Sequence, residues 1–412
     1  MQINSILFLI SLIVFIGYLA EWVFQKINIP DMLLLIAVGF IIGPSGLGYI
    51  NPEALGTIAP LFTTFTLLFL MFDGALYIDL HSLAEGIGPG ISLGFANFFV
   101  SSLVIGGIFY FLVNDPILAL MLGFALGGVS SAYIIPMLKQ ITVDKKTYSI
   151  LALESALTDV LAIVFAITMI ELKILNVFDI KSVLSQIASL FFVAGVLGIL
   201  AGFLWIFIED KLVKKDSNYM MTIAYVILLY FICEYLGGNG AIGAMSFGIV
   251  IANSNILMDL AKRLKKKKIN KESEESKEEK NKTTKVVSRR ERMFYQEISF
   301  FLKTFFFVYI GLLLNFSNYK AIAVGTVIAV AVLVLRNVSS LLTKQFEESD
   351  RVLINSLFAR GIAPAAIILI AVEKQLITDQ TIIDGVYFAI TATIILSSIR
   401  VFIYRRKNAK TG

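Results

Sequence analysis

The chain has 412 residues, 58% of them hydrophobic and only 16% charged, with a mean hydropathy of +0.84. Such proportions exclude a soluble domain of this size and specify an all-α polytopic membrane protein. One cysteine (Cys233) and one histidine (His81) exclude a disulfide framework and a zinc site built on histidine pairs, and the net charge of +5 lies mostly in loops, where it sets topology and is no nucleic-acid footprint.

Windows of about 20 apolar residues predict thirteen spans. In order they cover 3–24, 29–50, 55–80, 86–113, 116–140, 147–172, 182–208, 219–237, 239–258, 294–316, 319–343, 351–372 and 381–404. The first has no basic residue before it and no small-residue cleavage site, so it reads as a span and not as a removed signal peptide. Span five, LGFALGGVSSAYIIPML, carries Gly127, Gly128, Ser130, Ser131 and Pro136 in its middle. Proline removes a backbone donor and glycine eases unwinding, so this span is expected to be broken.

Span six, LALESALTDVLAIVFAITMI, carries two acids, Glu154 and Asp159. A carboxylate at the bilayer centre costs at least ~2.5–3.5 kcal/mol, so such residues are by default functional or paired. At 100° per residue, Glu154, Ser155, Thr158 and Asp159 share a wedge roughly 140° wide, and Leu153, Leu157, Val160 and Leu161 lie outside it. The helix thus has one polar stripe able to line an ion site. Either acid can instead be met by a buried basic partner and only pin helices together.

Between spans nine and ten, residues 262–292 form a charged, low-complexity loop that cannot fold alone. Two readings are open: a solvated tether that enforces topology, or a basic patch on anionic lipid headgroups. Lys303 lies part-way into span ten and is expected to snorkel toward the cytoplasm. Arg336 sits mid-span in span eleven and needs a partner. Span twelve, INSLFARGIAPAAIILI, is the second interrupted segment, with Arg360, Gly361 and Pro364; Arg360 is expected to offset carbonyls at a half-helix end. The interrupted spans fall second in the triplets four to six and eleven to thirteen. That placement predicts an inverted repeat with a transport site at the breaks. With the N-terminus outside, the loops on the inner face hold most of the lysines and arginines, and the C-terminus is cytoplasmic.

The chain resembles the monovalent cation:proton antiporter superfamily, the sodium/proton exchanger fold, over almost its whole length. The resemblance rests on GFIIGPSGLG, LFLMFDGALYIDL, LESALTDVLAIV, GNGAIGAMSFGIVIAN, VLVLRNVSS and LFARGIAPA, in this order. ESALTD is similar to the exchangers' glutamate–serine–(two residues)–asparagine–aspartate signature. By that match Asp159 falls on the ion-binding aspartate and Ser155 on a serine that helps hold the cation. Glu154 falls on a glutamate paired with an arginine, here Arg336, and Asp73 on a carboxylate near the cytoplasmic approach. Two departures stand out. Thr158 replaces the asparagine of electroneutral exchangers and the second aspartate of electrogenic ones. Span five lacks the threonine–aspartate pair of the helix crossing, with Ala132, Tyr133 and Ile134 aligned there; Ser130 and Ser131 supply hydroxyls instead, as in some potassium/proton antiporters.

The resemblance implies a scaffold of residues 1–80, 219–258 and 294–316 that dimerises, and an ion-carrying core of 86–172 and 319–404. Residues 182–208 link them, 259–293 form the cytoplasmic loop and 405–412 a short tail. It implies a homodimer in the cell membrane with no cofactor, no nucleotide and no nucleic acid, carrying a monovalent cation and H+ by alternating access. A desolvated carboxylate is more readily protonated, and sodium and potassium favour oxygen ligands, so one aspartate can hold a proton or a cation in turn. With a single such group, exchange is expected to be electroneutral. Sodium (or lithium)/proton exchange leads; potassium/proton exchange on the same scaffold, and a cation channel or membrane sensor, are the alternatives. An enzyme is not expected, since no HExxH, GxSxG or phosphate-binding loop is present.

Overall fold

A computed structural model of the chain describes residues 3–27, 30–52, 58–76, 88–139, 141, 143, 145–175, 180–211, 219–254, 257, 289–338 and 348–408. His81, Asp79, Glu85, residues 262–288 of the charged loop and the tail beyond residue 408 lie outside these. Among the described residues there are fifteen α-helices and no strand, as expected where backbone groups cannot bond to water. They are α1 (Ile3–Ile27), α2 (Asp31–Ile42), α3 (Ile58–Ala75), α4 (Gly88–Val113), α5 (Pro116–Ala125), α6 (Ser131–Lys139), α7 (Lys145–Leu175) and α8 (Ile180–Lys211). Then follow α9 (Tyr219–Tyr235), α10 (Gly240–Ala252), α11 (Arg289–Leu313), α12 (Tyr319–Val338), α13 (Glu348–Ser356), α14 (Ile362–Glu373) and α15 (Gln380–Asn408). Each predicted apolar segment carries a helix, and spans five and twelve each carry two. Six helices among the described residues are long and apolar enough to cross a membrane, and seven further apolar helices are shorter.

The chain falls into two compact units. The first comprises Met1–Leu67, Ile87–Val183 and Phe300–Gly412. In it α4, α5 and α7 pack together, and α12 packs on α15. Asp115 caps α5, its Oδ1 accepting from the N–H groups of Ile117 and Leu118 at 3.0 Å, with Pro116 at the first helical position where no donor is needed. Asn318 begins α12 in the same way, accepting from Ala321 N at 3.2 Å.

The second unit comprises Leu68–Gly86 and Leu184–Ser299. Its core is aromatic: Phe72 stacks on Phe247 at 5.9 Å and meets Tyr295 edge-on at 5.3 Å. Asn239 caps α10 through Ile242 N, and Glu234 accepts from Gly240 N at 2.8 Å, so Glu234 caps a helix besides lying near a span's end. Asp73 is buried here; Ser299 Oγ donates to its Oδ2 at 2.6 Å, and its Oδ1 has no hydrogen-bond partner among the described residues.

Candidate functional site

The site lies in the first unit, where two helices come apart. Backbone is unwound between α5 and α6 over residues 126–130, and between α13 and α14 over residues 357–361. The two stretches meet: Ser130 N donates to Ala359 O at 2.9 Å. The break in span five falls at the glycine pair. The resemblance implies a crossing at Ala132–Ile134, but those residues and Pro136 belong to α6. The reason is steric. A Cβ at Gly128 would stand 2.5 Å from Thr158 O, so only glycine lets α7 approach the unwound chain here. Gly361 is confined likewise, since a Cβ there would stand 2.6 Å from Ser130 Cβ.

Unwound backbone in an apolar interior needs substitute partners. Hydroxyls supply them. Val129 N donates to Thr158 Oγ1 at 3.0 Å, Arg360 N to Thr393 Oγ1 at 3.1 Å and Phe358 N to Ser397 Oγ at 3.4 Å. Arg360 Nη1 donates to Gly128 O, just beyond the C-terminal end of α5. This is the carbonyl contact expected of it.

Asp159 stands at the N-terminal end of α6. Its Oδ2 accepts from Ser131 N at 2.8 Å and from Ser131 Oγ at 2.5 Å, a helix end that suits an anion. Its Oδ1 has no hydrogen-bond partner among the described residues, and the side chain is half-buried. Glu154, five residues earlier, is fully buried and forms a two-pronged ion pair with Arg336: Nη1 donates to Oε1, and Nη2 to Oε2 at 2.9 Å. Arg336 Nε donates to Ile354 O at 2.9 Å, and Asn97 Nδ2 to Glu154 Oε1 at 3.0 Å. Ser155 is buried and bonds within its own helix, to Ala152 O at 3.0 Å. One acid of the stripe is thus tied to a cation and the other to a hydroxyl and an N–H.

The model of the transmembrane sodium/hydrogen exchanger family matches residues 11–405. The chain belongs to the sodium/hydrogen exchanger family. Among solved structures, the sodium proton antiporter MjNhaP1 from Methanocaldococcus jannaschii superposes with a TM-score of 0.75 at 20% identity, covering 97% of this chain and 100% of that one, which shows a shared fold. The K(+)/H(+) antiporter NhaP2 of Shewanella oneidensis is 23% identical over 258 residues, 61% of this chain and 44% of that protein. The Na(+)/H(+) antiporter NhaH of Halobacillus aidingensis is 26% identical over 253 residues, 57% of this chain and 61% of that protein. The chain therefore spans about half the length of these curated relatives.

Within this family member, one expected role changes. Lys303 does not reach for water. Its Nζ donates to Asp31 Oδ2 at 2.6 Å, and both side chains are largely buried. A buried carboxylate in the first turn of α2 gives the ammonium an ion-pair partner. Asp31, Asn97, Thr393 and Ser397 were not singled out from the sequence. Thr393 and Ser397 did carry a signal, two hydroxyls four residues apart on one face of an apolar span. Ser130 and Ser131 divide: Ser131 holds Asp159, and Ser130 packs against Gly361.

Proposed function

We propose that this chain is a secondary antiporter that exchanges a monovalent cation for a proton across the cell membrane. One observation carries the reading. Asp159 sits beside a broken helix, hydrogen-bonded by neutral donors and in no ion pair among the described residues, while the neighbouring acid is neutralised by Arg336. A carboxylate in that setting can take up a proton or a hard cation, and the two compete for one negative charge. Ser131 orients it, and the further oxygens assigned to the cation in this reading are those of Ser155, Ser130 and the carbonyls of the unwound stretch. Thr158 acts by holding the unwound backbone through Val129 N.

Thirteen spans with the N-terminus outside, an inverted repeat of α4–α7 and α12–α15, and a homodimer built on α1–α3 and α9–α11 complete the proposal, with α8 as the link. The core exposes Asp159 to either side in turn. One carboxylate cycling between proton and cation moves no net charge per cycle. A net charge moved would couple exchange to voltage by ~2.3 kcal/mol per 100 mV.

The test is exchange in proteoliposomes under imposed gradients of lithium, sodium, potassium and rubidium, across pH, with the membrane potential set by a lipophilic ion that the protein does not carry. A pH change driven by one or more of these cations, with no steady current, is expected. Cation flux without proton movement would make the protein a channel and overturn the reading. Both sodium and potassium stand in the comparison because the curated relatives carry both names.

A further inference from the structure

Arg360 is only 2% exposed, yet it forms no ion pair with a carboxylate among the described residues. Ion pairs among the described residues include Lys173–Asp115, Lys303–Asp31 and Arg336–Glu154, and Arg360 belongs to none of these. Arg360 Nη1 is spent on Gly128 O, and its Nε is buried with no hydrogen-bond partner among the described residues. The charged groups that act on it are Arg336, Glu154 and Asp159. Arg336 uses Nε, Nη1 and Nη2 on Ile354 O and Glu154, so that pair is neutral and closed.

Beside Arg360 lies a small cavity of about 10 Å³, room for a single particle of about the size of a water molecule, lined by Asn97, Ser101, Val332, Arg336, Phe358 and Arg360 among others. Its polar lining is two guanidinium groups, an amide and a hydroxyl, and none of the lining side chains is acidic. A water molecule would satisfy Nε but leave the charge unbalanced. An anion satisfies both, and guanidinium is weakly hydrated and well suited to hold one.

We propose that this cavity binds a small monovalent anion, chloride being the probe of choice, through Arg360. A functional consequence rests on the reading of Asp159 given above, although the binding does not. With Glu154 and Arg336 cancelled, deprotonated Asp159 and Arg360 sum to zero. Once Asp159 carries a proton or a cation, one positive charge remains in an apolar surrounding. The ends of the half-helices do not remove it, because two N-terminal and two C-terminal ends meet there and offset each other. An anion on Arg360 restores neutrality and so favours the loaded core.

The experiment is radiolabelled chloride binding to the purified full chain, with gluconate exchanged for chloride at fixed sodium and fixed ionic strength. Saturable binding, displaced by bromide, is expected for the wild type. It is expected to be lost in Arg360→Gln and in Val332→Phe, which fills the cavity without changing a charge. Asp159→Asn is expected to bind chloride at least as well as the wild type, since it leaves the positive charge in place. Absence of saturable binding to the wild type, or binding unchanged in both Arg360→Gln and Val332→Phe, would overturn the site. If chloride binds as expected, exchange should slow when gluconate replaces it; an unchanged rate would overturn the charge-balancing role. Exchange that persists in Asp159→Asn with chloride binding intact would overturn the assignment of Asp159 as the carrier and leave the anion site standing.

Discussion

Glu154 and Asp159 are the same kind of group at the two edges of one polar wedge of α7, little more than one turn apart, and their partners differ. Glu154 is closed by Arg336, with Asn97 on the same carboxylate. Asp159 is met by the Ser131 hydroxyl and N–H and keeps one oxygen open. An acid with a built-in cation has no need of another. An acid held only by neutral donors can exchange a proton for a cation. What separates a structural carboxylate from a transporting one here is thus the partner, which lies 182 residues away for Glu154 and 28 for Asp159.

The largest effect expected is at Asp159. Asp159→Asn keeps the shape and an acceptor for Ser131 but removes the titrating group. Cation-dependent proton movement in proteoliposomes should vanish, with thermal unfolding little changed. Robust exchange by the folded variant would break the contrast between the two acids.

Glu154→Ala and Arg336→Ala should instead act on stability. Removing one partner of a buried pair leaves an uncompensated charge, at ~3–5 kcal/mol. Chemical unfolding in detergent should show a large loss for each single variant, and the double variant should be less damaged than the sum. Zero coupling energy in that cycle would show that the two residues do not act as a pair.

Thr158→Val sharpens the comparison, because Thr158 shares the stripe and binds only backbone. The change leaves the buried N–H of Val129 without its acceptor, at ~1–3 kcal/mol. A lower unfolding midpoint is expected; a midpoint equal to wild type would mean that the unwound stretch finds another partner.

Asp115 provides the mildest case, a paired acid at a helix end outside the spans. Its side chain is 22% exposed and that of Lys173 28%. Burial raises its carboxyl, but the hydrogen bond from Lys173, those from Leu118 and Ile117 N, and the Lys173 charge outweigh it and hold the carboxyl below its usual range. The folded value lies below the unfolded one of about 4, so its contribution is present above that pH and is lost as pH falls through the folded value. Asp115→Ala removes a cap worth ~1 kcal/mol at neutral pH, and the difference from wild type should shrink in acid. An equal deficit at neutral and acid pH would mean that the carboxylate charge contributes nothing.

Much of this was legible in the chain alone, for physical reasons. Backbone in hydrocarbon must bond to itself, so apolar length predicts helices. Acids are costly there, so Glu154 and Asp159 stand out. Glycine with proline in mid-span marked both interrupted helices. The site of the break within span five was less legible, because both Gly127–Gly128 and Pro136 are breakers. Packing against α7 decides between them, leaving Pro136 inside α6. The Lys303–Asp31 pair was hidden because Asp31 reads locally as an ordinary first-turn acid, and its partner is 272 residues away. Of the hydroxyls that receive the unwound N–H groups, Thr158 stood out on the polar stripe, but Thr393 and Ser397 were overlooked because such hydroxyls are ordinary in a membrane helix until the broken chain is set beside them.

The central claim is that one carboxylate holds either the proton or the cation. Proton release on cation binding tests it most directly. In weakly buffered detergent solution, adding sodium or potassium to purified wild-type protein should release protons, and Asp159→Asn should release none. Equal release from the folded Asp159→Asn variant would contradict the account.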